Sequence, residues 1–299
     1  MQYSASISYG KDSLAMLHVI TDVLHKPLDR IVTAEVWATD TIQADLPPMV
    51  EFKEKADRII KERWGIEVEH LYATDKEGNK LTYEKLFYHI PKRRTPRRND
   101  GGGSGSILGF PIIKVPWCDS GLKKRALQRV SASEKSLVSE AEIRNGKKRV
   151  APDGGAVKIA VTDYIGIASD EPKRIERHKD KPGIEMPLVE AGWTEAMCRQ
   201  WCEENGLLSP IYTDSARGGC WFCHNQGIDQ LRKLRRNYPE LWALMLKWDN
   251  DSPVSFHPDG RTVHDFDQRF QMEDEGFMNF GKFGWSMLEN AQMNIDQFL

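Results

Sequence analysis

The sequence has no apolar run that could cross a membrane, and it begins without the pattern of a secretory signal peptide. A membrane-spanning helix needs about 20 consecutive apolar residues, and no segment of the 299 residues approaches that length. Neither sign of charge is in excess, because 42 Lys and Arg residues stand against 44 Asp and Glu residues. This balance argues against a wholly basic nucleic-acid coat but leaves room for a local basic patch. We therefore expect a globular protein of the cytoplasm that has no membrane partner.

Cysteine is scarce, and its number does not suit a disulfide framework. The chain has five cysteines, an odd number, and no export signal. In a reducing compartment thiols stay unpaired, and they are then buried in the core or bound to a metal. The sequence therefore favours metal-bound or buried thiols.

The chain also lacks the GxxxxGK[ST] spacing of Walker-type nucleotide-binding loops. It has a different anion-binding pattern at residues 8–13, which read SYGKDS. This segment follows an alternating apolar run at 3–7 and precedes a helical pattern at 14–24. Where a strand turns into a helix, free backbone N–H groups and the positive end of the helix dipole point at the same place.

The residue types of this turn suit a phosphate. Gly10 lets the backbone approach an anion closely, and Lys11 adds positive charge. Ser8 and Ser13 add hydroxyl donors. The segment therefore predicts a phosphate site, and the alternative is an ordinary turn from a strand into a helix.

Strand and helix patterns alternate through the first part of the chain. Strand patterns cover 3–7, 30–37, 66–72 and 157–166, and helical patterns cover 14–24, 48–64 and the segment between Thr194 and Gly206. Such alternation predicts an α/β fold with a parallel sheet. Ligands of these sheets bind at the carboxyl ends of the strands, where the turn at 8–13 and the pair Thr39–Asp40 both belong.

We divide the chain into an α/β domain at 1–215 and a helical region at 216–299 that is rich in aromatic residues. Two segments interrupt the first domain: a mobile basic loop at 92–106 and a polar insertion at 131–155. Five of the seven residues at 92–98 are basic, which suits a nucleic acid or an anionic substrate. A solvated loop explains the same composition.

The turn at 8–13 resembles the PP-loop of ATP pyrophosphatases, usually written SGGKDS, with Tyr9 in place of the first glycine. Four further segments resemble the phosphoadenosine phosphosulfate reductase-like branch of that superfamily, in the family's order. They are Asp40-Thr41, WCDSGLK at 117–123, YIGIASDEPKR at 164–174 and CWFC at 220–223. The glycine that follows Asp-Thr in the family is missing, and Trp117 stands where iron–sulfur members have a cysteine. The resemblance spans 3–223, about three quarters of the chain.

The resemblance implies an adenine nucleotide alpha-hydrolase-like fold, a Rossmann-like three-layer α/β domain, followed by a helical C-terminal region. It implies an enzyme that cleaves ATP between the α and β phosphates with Mg²⁺. The products would be AMP and pyrophosphate, or an adenylylated acceptor.

The resemblance also assigns residue roles. The phosphates would be held by Ser8, Gly10, Lys11, Asp12 and Ser13. Asp40 would lie near the nucleotide or its magnesium, and Lys123 and Arg174 would converge on the phosphates from the far side. Catalysis would rest on Lys11, Asp12, Lys123 and Arg174, since fixed cations stabilise the charge on the leaving pyrophosphate. The alternatives are a solvated helix residue for Lys123 and a surface ion pair for Arg174.

The two-residue spacing of Cys220 and Cys223 lets two thiolates reach one metal. The resemblance adds Cys118 and implies a [4Fe–4S] cluster, with zinc as the alternative. A fourth ligand would be Cys202, with Cys198 and His224 as the other candidates. Buried core packing explains Cys198 and Cys202 equally well.

Two other functions stay open. The first is a sulfonucleotide reductase or sulfurtransferase that uses Cys118, Cys220 or Cys223. Reductases of this family attack sulfur with a cysteine on the C-terminal tail, and residues 224–299 contain no cysteine. The second is a nucleotide-binding module of a phage or defence complex that binds ATP without turnover.

Overall fold

The computed structural model describes residues 2–91, 105–112, 116–127, 161–214 and 219–277, with Thr213 and Asp214 described by their backbone alone. Most of the predicted basic loop and all of the polar insertion at 131–155 lie outside these residues. No helix within the described ranges is both long enough and apolar enough to span a membrane.

The chain divides into two compact units. Unit 1 contains Met1–Leu86 and Val115–Trp221, and unit 2 contains Phe87–Lys114 and Phe222–Leu299. The sequence-based boundary at 215/216 differs from this division, which also groups 87–114 with the C-terminal region. The reason is aromatic packing inside unit 2, where the Phe87 ring lies 5.3 Å from Phe110 and 6.0 Å from Trp248 between centroids.

The described residues of unit 1 contain five strands. They are β1 (Gln2–Ile7), β2 (Arg30–Glu35), β3 (Val68–Tyr72), β4 (Val161–Ile165) and β5 (Ile184–Glu185). All pairings are parallel, and the strand order is β3-β2-β1-β4-β5. The predicted α/β class with a parallel sheet is confirmed, and the topology is compatible with a Rossmann-like domain.

The helices of unit 1 follow the strands. They are α1 (Lys11–His18), continued as a π-helical turn at Val19–Val23, α2 (Pro47–Trp64), α3 (Tyr83–Phe87), a π-helical segment at Asp119–Lys124, α4 (Pro172–Glu176), α5 (Pro187–Glu190), α6 (Glu195–Glu204) and α7 (Ile211–Asp214). Helix α2 buries Met49, Phe52, Ala56 and Ile60, whose spacing places them on one face. Helix α6 begins where the sequence predicts, because the Thr194 hydroxyl caps the Met197 amide.

Unit 2 contains α8 (Ile228–Asn237), α9 (Pro239–Asp251) and α10 (Val263–Asp274). The apolar pattern from Leu231 to Met245 resembles one helix in sequence but forms two. Pro239 has no backbone N–H and cannot continue α8, so it begins α9 at the first helical position, directly after the N-cap Tyr238. Phe256, Phe266 and Phe270 pack edge to face or tilted against one another in this unit.

Candidate functional site

The turn between β1 and α1 lies where the strand order changes direction. Strands β2 and β3 lie to one side of β1, and β4 and β5 lie to the other. In open parallel sheets a crevice forms at this point, outside the carboxyl ends of the strands. Gly10 has an extended backbone and caps α1, and the Leu14 amide donates to its carbonyl oxygen at 3.1 Å.

Two serines that the sequence suggests as phosphate donors bond to each other and to the backbone of the turn. The Ser13 hydroxyl donates to the Gly10 carbonyl oxygen at 2.9 Å and accepts from the Ser8 amide at 3.2 Å. The hydroxyl oxygens of Ser8 and Ser13 lie 3.5 Å apart. Ser13 therefore shapes the turn.

Lys11 and Asp12 form an ion pair beside the turn. The Lys11 ammonium lies 2.9 Å from Asp12 Oδ1 and 2.9 Å from Glu195 Oε2. Burial alone would lower the pKa of Lys11, but these two carboxylates raise it above its ordinary value, so the side chain stays charged. Burial raises the pKa of Asp12, against the opposing effect of Lys11. Glu195 was missed from sequence, where it reads only as an acidic residue in the first turn of α6.

Tyr9 occupies a left-handed backbone conformation, with φ of 56°. Glycine adopts this conformation freely. The PP-loops that this turn resembles carry a glycine at the position of Tyr9. The Tyr9 side chain is fully buried, and its hydroxyl donates to Asp57 Oδ1 at 2.5 Å. Burial, followed by the Asp57 carboxylate, raises the pKa of Tyr9 far above its ordinary value.

His70 links Tyr9 to two carboxylates. Its Nε2 lies 2.9 Å from Asp57 Oδ2 and 3.2 Å from the Tyr9 hydroxyl, and its Nδ1 lies 2.7 Å from Glu35 Oε1. The hydrogen bonds to Asp57 and Glu35 raise the pKa of His70 to about 9, against the effect of burial. At neutral pH a charged imidazole therefore lies between two carboxylates.

A cavity of about 460 Å³ opens beside the turn, along the carboxyl ends of β1 and β2. Its size is typical of small-molecule sites. Three of the residues predicted for the phosphates line it, Ser8, Gly10 and Lys123, and so does Cys220, which was predicted as a metal ligand. Its other lining residues include the polar side chains Asp45, Lys53 and Tyr212 and the apolar side chains Val36, Ala44, Leu46 and Met49. The Tyr212 hydroxyl accepts from the Lys11 amide at 3.2 Å, so it lies at the start of α1.

The other residues predicted for the phosphates are not among those that line this cavity: Lys11, Asp12, Ser13, Asp40 and Arg174. Lys85 donates to Asp40 Oδ1 at 2.6 Å, and the Asp40 side chain is 65% exposed. The Arg174 guanidinium binds both Glu171 oxygens, at 2.7 and 2.8 Å. Arg174 thus forms a surface ion pair, which is the alternative to a phosphate-binding role that remained open from the sequence. Its role in nucleotide binding stays a prediction.

The five cysteines differ in how deeply they are buried. Cys198 and Cys202 are fully buried in α6, and burial, followed by the charge of Asp12, raises the pKa of both thiols to about 12. The Cys202 thiol lies 3.3 Å from the Lys11 carbonyl oxygen. The burial of Cys202 is compatible with the core-packing alternative, and its role as a metal ligand stays a prediction.

Cys118, Cys220 and Cys223 are half-buried. Among the residues that the structure describes, no three His, Cys, Asp or Glu side chains are grouped so that they could hold a metal ion. The iron–sulfur cluster that the resemblance implies, and zinc as its alternative, stay predictions.

Gly166, just after β4, packs directly on the backbone of α1. A methyl group at this position would lie 2.9 Å from Ser13 Cα and 3.0 Å from the Ser13 nitrogen. Because backbone atoms cannot yield as a side-chain tip can, we expect Gly166→Ala to lower the free energy of unfolding by about 1–3 kcal/mol. Urea unfolding measures this, with Gly227→Ala as the control, because a methyl group there meets no atom within 4 Å. Equal stability of the two variants would contradict the close contact.

The fold and the cavity together define an α/β protein with a parallel sheet and a small-molecule-sized cavity beside the turn at its carboxyl edge. In comparisons with known proteins, no family model and no curated protein matches this chain.

Proposed function

We propose that this protein is a PP-loop ATP pyrophosphatase, which binds ATP at the SYGKDS turn and cleaves it between the α and β phosphates. The observation that supports this most is the cavity, which is lined by Ser8 and Gly10 from the turn and by Lys123 from a distant part of the sequence. The resemblance assigns the same three residues to the phosphates. The adenine nucleotide alpha-hydrolase-like form of the fold is part of this proposal.

The chemistry is electrostatic. Cleavage between the α and β phosphates builds negative charge on the leaving pyrophosphate, and fixed cations and N–H groups lower its energy. Lys11 and Lys123 would supply the cations, and the hydroxyl of Ser8 and the first amides of α1 would supply hydrogen bonds. Magnesium would enter bound to the phosphates of ATP and neutralise part of their charge.

The pairing of Lys11 is compatible with this role. Its ammonium contacts Asp12 and Glu195, so it is charged and held close to the turn. A triphosphate carries more charge than either carboxylate and would compete for the same ammonium. Glu195, which is 48% exposed, can move into water when Lys11 turns to a phosphate.

The test is incubation with ATP and Mg²⁺, with separation of the nucleotide products. We expect AMP and pyrophosphate from the native protein and a rate about 100-fold lower from Lys11→Ala, which loses one stabilising charge. Lys26→Ala is the matched control, because Lys26 also binds two carboxylates, Glu185 and Glu190, and we expect it to retain the native rate. Formation of ADP and phosphate would contradict the proposal, and nucleotide binding without any product would favour the non-catalytic module.

A second candidate is sulfonucleotide reduction or sulfur transfer. The observation that favours it is Cys220, a half-buried thiol that lines the same cavity. Sulfite release from phosphoadenosine phosphosulfate in the presence of thioredoxin, abolished in Cys220→Ser, would support this reaction over ATP cleavage. Equal absence of sulfite from both proteins would remove the candidate.

A further inference from the structure

We propose that Tyr9 is a positioning residue, whose anchored side chain fixes the phosphate-binding turn and one wall of the cavity in the geometry that binds pyrophosphate. The inference rests on the proposed function, because it concerns how the same site holds the phosphates.

The backbone of Tyr9 gives the first reason. Its φ of 56° is in the left-handed region, and among the described residues His25 is the only other non-glycine with a positive φ. This conformation costs a residue with a side chain roughly 1 kcal/mol or more. Such a conformation persists where the surrounding contacts determine it, and it occurs often at functional sites.

Those contacts come from two separate elements. The Tyr9 hydroxyl donates to Asp57 on α2 at 2.5 Å and lies 3.2 Å from His70 Nε2 on β3. The ring is fully buried, so the side chain has no room to reorient. Glycine at this position would relieve the backbone strain but would provide no such attachment to α2 and β3.

The residues beside Tyr9 in the chain show which part of the site its anchored side chain holds in place. Its chain neighbours Ser8 and Gly10 both line the cavity. Lys53 on α2, which also lines the cavity, lies with its ammonium 5.3 Å from the centroid of the Tyr9 ring. Lys53 also binds Asp45, another lining residue. One buried ring therefore adjoins both the turn and Lys53, and both line the cavity.

The test is a double-mutant cycle on ligand affinity, measured by calorimetry with pyrophosphate and with AMP. We expect Tyr9→Phe and Asp57→Ala each to weaken pyrophosphate binding about tenfold, which is the effect of one net hydrogen bond. AMP affinity should change less than twofold. Because both substitutions remove the same hydrogen bond, the double variant should bind pyrophosphate no more weakly than the weaker-binding single variant.

Two variants serve as controls. Asp57→Asn keeps an oxygen acceptor for the Tyr9 hydroxyl and should restore most of the pyrophosphate affinity. Tyr164→Phe removes the hydroxyl of another fully buried tyrosine, which donates to the Pro27 carbonyl oxygen, and should leave both affinities unchanged. If Asp57→Ala does not fold, Tyr9→Phe and Asp57→Asn carry the test by themselves.

The outcomes separate the two proposals. Unchanged pyrophosphate affinity in Tyr9→Phe, equal weakening of AMP and pyrophosphate, or additive effects in the cycle would overturn the role of Tyr9 and leave ATP cleavage standing. Failure of the native protein to bind either pyrophosphate or ATP would overturn both.

Discussion

Substitution of Glu273 by alanine is expected to lower the free energy of unfolding by about 3–5 kcal/mol. Its carboxylate on α10 is fully buried and shared by two buried arginines. Arg232 donates to both oxygens, at 2.6 and 2.9 Å, and Arg269 donates to Oε1 at 3.1 Å. Alanine would remove the buried carboxylate that both guanidinium groups share, while Arg232 keeps its ion pair with Asp229, and the guanidinium charges cannot be lost by deprotonation. Urea unfolding at neutral pH measures the change.

The control lies two residues away. Glu275 is exposed and accepts from Gln271 at 2.8 Å, so Glu275→Ala should change the free energy of unfolding by less than about 0.5 kcal/mol. A further variant separates the loss of charge balance from the loss of volume: replacing Glu273, Arg232 and Arg269 together by methionine should recover most of the stability. A Glu273→Ala protein as stable as the Glu275→Ala protein would show that water reaches the arginines.

Local sequence patterns predicted β1 to β4 and the helices α1, α2 and α6, because each depends on residues close in the chain. The helix at 48–64 could be predicted because its apolar residues repeat at helical spacing, and it differs from α2 by one residue at its start. The cap at Thr194 was predicted from one side chain and the helix that follows it. The strand order was not predicted, because pairing β1 with β4 depends on contacts between residues about 160 positions apart.

The network around Tyr9 could not be predicted for the same reason. In the register of β2 and β3, Thr33 lies opposite His70 and Glu35 lies opposite Tyr72. Glu35 and His70 are therefore diagonal neighbours on one face of the sheet, close enough for long side chains to meet. A shift of one residue would place them on opposite faces. The sequence contains the residues, but their contact depends on a register that it does not reveal.

Some of the residues predicted to bind the phosphates lie together in the structure, and others do not. Those in the turn at 8–13 are brought together because they are adjacent in the chain. Asp40 comes from a loop after β2 and Arg174 from α4, and each binds a nearby charge, Lys85 and Glu171 respectively. An ion pair with a neighbour costs little chain entropy and satisfies the charge without a ligand. Motif matching cannot detect this competition.

The charged state of His70 predicts a pH-dependent stability. Its pKa is about 9 in the folded protein against 6.5 for the ordinary side chain, because it bonds Asp57 and Glu35. A raised pKa in the folded state means that the stabilisation is complete below pH 6.5, falls as the pH rises and is lost above pH 9. The difference between the two pKa values corresponds to about 3 kcal/mol.

The experiment compares the native protein with His70→Gln by urea unfolding at pH 6.5 and pH 9.5. The difference in free energy between the two proteins should be about 3 kcal/mol larger at pH 6.5 than at pH 9.5, and subtraction removes the contribution of all other titrating groups. His178→Gln is the control for the loss of an imidazole, because the His178 ring lies 2.9 Å from the Arg174 carbonyl oxygen rather than between two carboxylates. A His70→Gln difference that is equal at both pH values would mean that His70 is not protonated between its carboxylates. The Tyr9 hydroxyl would then lie beside a neutral imidazole, and Asp57 would be the charged group that holds the hydroxyl in place.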